Sequence, residues 1–159
     1  MSVDEVSRLL FDEAQLLDSG QFDAWLELLA PDLRYWAPVR LDVARADEAA
    51  DEASRLLLFD ETRESLVLRV KRLATGLAWS ETPPSRTRRF VTKVMVDDDE
   101  SGRLRVRSNL LVFRSRSPGD ETLFSGRRED RWSRQGRWLL HERKIVVDHL
   151  TVENMSQLL

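Results

Sequence analysis

The chain has 159 residues, 42% hydrophobic and 33% charged, with a formal net charge of -3, the profile of one folded domain over residues 1–159 rather than of a disordered segment. With no cysteine it can form no disulfide, thiolate metal site or cysteine nucleophile. No apolar run approaches the roughly 20 residues needed to cross a bilayer, and the opening MSVDEVSRLLFDEAQ carries acids where a signal peptide would be basic, so a cytoplasmic protein is expected.

Residues 3–18 repeat apolar side chains at Val6, Leu9, Leu10, Leu16 and Leu17, the spacing of a helix with one apolar stripe. Gly20 ends it, a short second helix carries Phe22, Trp25, Leu28 and Leu29, and Pro31–Asp32 break that helix. LRYWAPVRL, residues 33–41, then reads as a strand in which Pro38 marks an edge or bulge. The charged, alanine-rich residues 42–58 read as a loop or frayed helix. Asp60 is the expected N-cap of a third helix running to about Leu73, with Gly76 closing it. Beyond Pro83–Pro84 the character changes to four strand-like runs, RRFVTKVMVDD, RLRVRSNLLVFRSR, ETLFSGRREDRW and RWLLHERKIVVDHL, separated by the turn signals DDESG, SPGD and SRQG. Helices first, one strand interposed and a long antiparallel meander last predict an α+β fold, with the helices on one face of a curved sheet.

Chemistry-bearing residues are few. His141 and His149 are the only histidines; eight positions apart on one strand they stand about 26 Å apart, too far to share a metal. There is no nucleophile elbow and no glycine-rich phosphate loop. The arginines, Arg86, Arg88 and Arg89 among them, alternate with acids in a net negative chain, which argues against a nucleic-acid surface. Arginine together with five tryptophans suits a protein–protein contact better. General acid–base chemistry is the remaining candidate: Glu13 lies on the apolar stripe of the first helix, where burial would raise its pKa, and Tyr35, His141 and Asp148 are residues that could join it. The plainer expectation is an arginine partner for Glu13 at the edge of the core, and a surface-satisfied hydroxyl for Tyr35.

Four stretches together carry a resemblance. EAQLLDSGQFDAWLELLAPDLRYWAPVR and, further on, the run from Trp79 through PPSRTR resemble the beta, or small, subunits of aromatic-ring-hydroxylating dioxygenases, and VRSNLLVFRSR and FSGRREDRW resemble that family's paired central strands. The order and spacing match over nearly the whole chain. Arg89–Phe90, where the family often has His or Leu, and the tail NMSQLL depart from the pattern.

The resemblance implies an NTF2-like, cone-shaped α+β fold, shared with ketosteroid isomerase and scytalone dehydratase. It also implies a non-catalytic role: a trimer of beta chains beneath alpha subunits in an α3β3 hexamer, the alpha chain holding the Rieske cluster and the mononuclear iron. A Rieske cluster needs two cysteines, and this chain has none, so no cofactor is expected in it. On this reading Trp79, Arg86, Arg88 and Arg89 are candidates for subunit contacts or for salt bridges that order the sheet. The alternative from the residues is a stand-alone isomerase or dehydratase using Glu13, Tyr35 or His141.

Overall fold

Helix α1, Val3–Asp18, begins where Ser2 caps it: the hydroxyl accepts from the Glu5 amide, and Asp4 and Glu5 put negative charge in the first turn. The computed structural model describes residues 2–39, 56–75, 85–98 and 102–148. Val6, Leu9, Leu10, Glu13, Ala14 and Leu17 form the buried stripe of α1. The helix stops at Gly20, whose φ of +71° lets the amides of Gly20 and Gln21 turn back to the carbonyls of Leu17 and Leu16.

Helix α2 is only Phe22–Leu26, because Leu29 already belongs to strand β1, Leu29–Pro38. Contrary to the expectation from the sequence, Pro31 and Asp32 therefore do not divide helix from strand. They sit exposed inside β1, where its register against the neighbouring strand shifts between Leu29 and Arg34, so the donor that Pro31 lacks is not needed there. The irregularity anticipated at Pro38 is present as a register shift between Ala37 and Pro38.

Strand β2, Leu57–Thr62, pairs antiparallel with β1 and corrects the expectation for Asp60. Asp60 lies within β2, where its carboxylate receives the Arg34 guanidinium (Nε 3.0 Å, Nη2 2.9 Å). The N-cap is Thr62: its hydroxyl accepts from the Ser65 amide while the Ser65 hydroxyl accepts from the Thr62 amide, a reciprocal capping box that opens helix α3, Arg63–Ala74. Residues 42–55 and Gly76, part of the expectations above, lie outside the described residues.

The four C-terminal runs are strands β3 (Arg86–Asp98), β4 (Leu104–Ser117), β5 (Asp120–Gln135) and β6 (Arg137–Val147). They join β1 and β2 in one sheet of order β2-β1-β6-β5-β4-β3, antiparallel except where β1 runs parallel to β6. Strand alternation sends Val106, Leu110 and Val112 of β4, Phe124 and Trp132 of β5, and Ile145 and Val147 of β6 to the inner face, where the stripe of α1 covers them. Asp18, the last residue of α1, fastens the helix to β3: it accepts from the Arg89 amide (2.8 Å), the Arg89 guanidinium (2.6 Å) and the Thr87 hydroxyl (3.1 Å).

One glycine is demanded by close approach. A Cβ on Gly126 would lie 2.6 Å from the Val146 carbonyl oxygen and 3.2 Å from the Val147 Cα, both backbone atoms of β6. Gly126→Ala is expected to force β5 away from β6 and to cost about 1–3 kcal/mol, read as a lower urea midpoint at unchanged m-value; an unaltered midpoint would contradict this.

Candidate functional site

The inner face carries charge at its centre. Strand alternation places Arg128, Asp130 and Trp132 of β5 on that face, Arg143 of β6 next to them, and Glu13 of α1 above. Arg143 is fully buried and uses both edges of its guanidinium. Nη1 and Nη2 donate to the two Glu13 oxygens (2.6 and 2.8 Å), while Nε and Nη2 donate to the two Asp130 oxygens (2.8 and 2.7 Å). Trp25 donates its indole N–H to Glu13 (3.2 Å) and Trp132 its own to Asp130 (3.3 Å). Arg128 stands 3.6 Å from Glu13 and 3.5 Å from Asp130. Two carboxylates thus face two guanidiniums, and the cluster is neutral, the condition under which charge survives burial.

This geometry fixes the protonation of Glu13. Burial alone would raise its pKa, but Arg143 and then Arg128 outweigh burial and lower it from 4.5 to about 2. The raised value expected from an apolar stripe is therefore corrected: the carboxylate is ionised at neutral pH, and both its oxygens already hold donors. For Arg143, burial opposes the charge, and Asp130 and Glu13 more than offset it. Because the folded-state pKa of Glu13 is depressed, its stabilising contribution is fully present above pH 4.5. It is lost as pH falls from about 4.5 towards about 2. The wild type is expected to lose on the order of 3 kcal/mol across that window through this residue. Urea midpoints measured at pH 7, 5, 4 and 3 should converge between the wild type and Glu13→Gln at the acid end; parallel curves would refute the assignment.

Tyr35 is buried, not surface-satisfied as the sequence suggested. Its ring lies beneath the Arg143 guanidinium (5.4 Å to the centroid), and burial pushes its pKa up, so it stays a neutral phenol. His141 does not join Glu13. It occupies a separate cluster, hydrogen-bonded through Nδ1 to Asp32 (2.6 Å) and through Nε2 to the Ser133 hydroxyl (2.8 Å), with Arg103 also on Asp32 (3.1 Å). Burial would raise the Asp32 pKa, but the His141 hydrogen bond and charge lower it. The order Ser–His–Asp is that of a hydrolase triad, yet Asp32 is more than half exposed and shared with Arg103, which suits a latch between β1 and the β5–β6 hairpin. Asp148 bonds Ser125 (2.9 Å), apart from both clusters. Among the described residues no three His, Asp or Glu side chains gather as a metal would require.

Of the interface candidates, Arg89 is drawn inward to Asp18, whereas Arg86 and Arg88 are exposed, with no partner among the described residues. Trp79 and His149 lie outside the described residues. Arg86 and Arg88 border an apolar patch on the outer face of the sheet. Phe90, Phe113 and Leu123 are exposed there, with Leu111 between them through the pairs Phe90–Leu111, Arg88–Phe113 and Phe113–Leu123. Beside it an open groove of about 610 Å³ has Lys93 and Arg127 on its walls. The sequence reasoning missed Arg128, Asp130 and Arg143. The period of two in GRREDRW was the available signal, since it puts Arg128 and Asp130 on the same face as Trp132.

One helix stripe laid on the inner face of a six-stranded sheet, closed at its centre by a neutral ion cluster, defines an NTF2-like α+β protein, the class expected from the sequence. Residues 12–154 match the family model described as the ring hydroxylating beta subunit. The chain is 36% identical over 161 aligned positions to the 3-phenylpropionate/cinnamic acid dioxygenase subunit beta of Photorhabdus laumondii, an alignment covering 97% of this chain and 89% of that one. The chain belongs to the beta-subunit family of aromatic-ring-hydroxylating dioxygenases. Among solved structures, a naphthalene 1,2-dioxygenase superimposes with a TM-score of 0.84 at 27% identity, over 96% of this chain and 83% of that chain. The beta subunit of a benzoate 1,2-dioxygenase from Burkholderia mallei superimposes at 0.79 and 19% identity, over 99% and 97%, a likeness of fold alone.

Proposed function

We propose that this chain is the non-catalytic, assembly-forming subunit of a multicomponent dioxygenase in aromatic compound catabolism. It would act in the cytoplasm beside an alpha subunit that carries the Rieske cluster and the mononuclear iron. The observation that carries this reading is the engagement of Glu13, whose two oxygens are already held by Arg143 and Trp25. An acid–base enzyme of this fold needs a carboxylate free to exchange a proton within an open pocket, and here Glu13 is ionised and spanned by Arg143. Glu13, Tyr35 and His141 also do not form one site, which weighs against an isomerase or dehydratase. The described helices include none long and apolar enough to cross a membrane.

For the assembly we infer a trimer of this chain supporting three alpha subunits. The outer patch of Phe90, Phe113 and Leu123, bordered by Arg86 and Arg88, is the contact surface we assign to it: exposed aromatics beside exposed arginines are what interface cores use. Size-exclusion chromatography with light scattering, on the chain alone and mixed with a Rieske-bearing alpha subunit, tests both levels. A trimer that becomes a hexamer supports the proposal. A chain that ignores the alpha subunit overturns it.

A further inference from the structure

We propose that the inner face of the sheet holds an ordered water molecule between Arg128 of β5 and Ser108 of β4, and that this site rejects anions. Arg128 is 3% exposed, yet its Nε and Nη2 have no hydrogen-bond partner among the described residues. The cause lies next to it. Arg143 and the two indoles already occupy the oxygens of Glu13 and Asp130, so Arg128 contributes charge at 3.5–3.6 Å but is not given an acceptor. Nε and Nη2 form one edge of a guanidinium, the edge that Arg143 presents to Asp130 and Arg34 to Asp60.

Ser108 stands directly opposite Arg128 in the β4–β5 register and on the same face. It is 4% exposed, and its hydroxyl also lacks a partner among the described residues. Directly opposed side chains on one face sit about 5 Å apart at Cβ, so the Ser108 hydroxyl lies at the foot of the Arg128 side chain, and we place the bridging oxygen between that hydroxyl and the unmet guanidinium edge. An oxygen placed there accepts from both guanidinium N–H groups and donates to Ser108. Leaving several buried polar groups unmet costs more than immobilising one solvent molecule, and a site with this number of polar partners is of the kind internal water fills.

Charge decides the identity of the occupant. Glu13 and Asp130 already balance Arg128 and Arg143, so an anion would enter a neutral cluster beside two carboxylates, uncompensated. A neutral molecule with both donor and acceptor capacity fits, and water is the smallest.

Two measurements test this. In high-resolution crystals of the full chain, soaked in bromide, density for a single oxygen is expected at about 2.7–3.2 Å from Arg128 Nη2 and Ser108 Oγ, without an anomalous peak. A bromide peak there makes it an anion site and overturns the proposal, as does Arg128 bonding directly to Glu13 and Asp130 with no density between. The second measurement turns on a sign. If Ser108 holds the water, Ser108→Ala removes a satisfied bond and raises the unfolding constant about five- to tenfold. If the hydroxyl is simply unmet, alanine relieves it and the unfolding constant falls, which also overturns the proposal.

Discussion

Arg143→Met is expected to destabilise the chain by about 3–5 kcal/mol, the loss typical when one partner is removed from a buried ion cluster. Methionine fills much of the same volume but leaves Glu13 and Asp130 facing each other inside the sheet, with only Arg128 to offset two negative charges. It also removes four hydrogen bonds that span α1, β5 and β6. Arg143→Lys keeps the charge but not the two-edged fork, so an intermediate loss is expected. Urea unfolding followed by tryptophan fluorescence suits the experiment, because Trp25 and Trp132 donate to the same two carboxylates. A double-mutant cycle with Glu13→Gln should return a coupling of at least about 1 kcal/mol. If Arg143→Met stays within about 1 kcal/mol of the wild type, Arg143 does not organise this core.

Leu123→Glu and Phe113→Glu, made singly, are expected to leave the isolated fold intact and to abolish assembly. Both side chains are exposed on the outer face, so the change in folding stability should fall within about 0.5 kcal/mol. A buried carboxylate at the centre of an apolar contact has no partner there, and central aromatic and aliphatic anchors carry most of an interface's energy. A weakening of self-association by about 100-fold or more follows. Arg88→Glu, at the rim beside Phe113, should act mainly through charge and be relieved by added salt. Light scattering separates the outcomes. Folded monomers from the glutamate variants would support the outer-face contact, and wild-type oligomers would send the search to another surface.

What could be read locally was read well where spacing carries the information. The stripe of α1, the turn glycines and the four C-terminal strands each rest on short-range periodicity. Errors came where two local rules competed. Asp60 is a good capping residue, but so is Thr62, and pairing of β2 with β1 settled the contest by taking residues as far as Thr62 into the strand. Pro31 looked like a helix stop because proline lacks the amide a helix needs and clashes with the preceding turn, and only the shifted register of β1 made an unpaired strand position available to it.

The same division runs through the site. By itself the sequence determined the first helix, the four C-terminal strands, the absence of thiolate chemistry and the inward direction of Glu13, since each follows from composition or from the spacing of neighbours along the chain. The family was legible only as a resemblance of motifs, and β2 was not legible at all. Only the tertiary structure decided that Glu13 is an ionised partner of Arg143, 130 positions away, that Asp130 shares that arginine, that Arg89 turns inward to Asp18, and that Arg86 and Arg88 remain outside. Those outcomes depend on strand register and on where α1 settles over the sheet. A shift of one residue in register exchanges the two faces of a strand, and no local propensity specifies which arginine then meets which carboxylate.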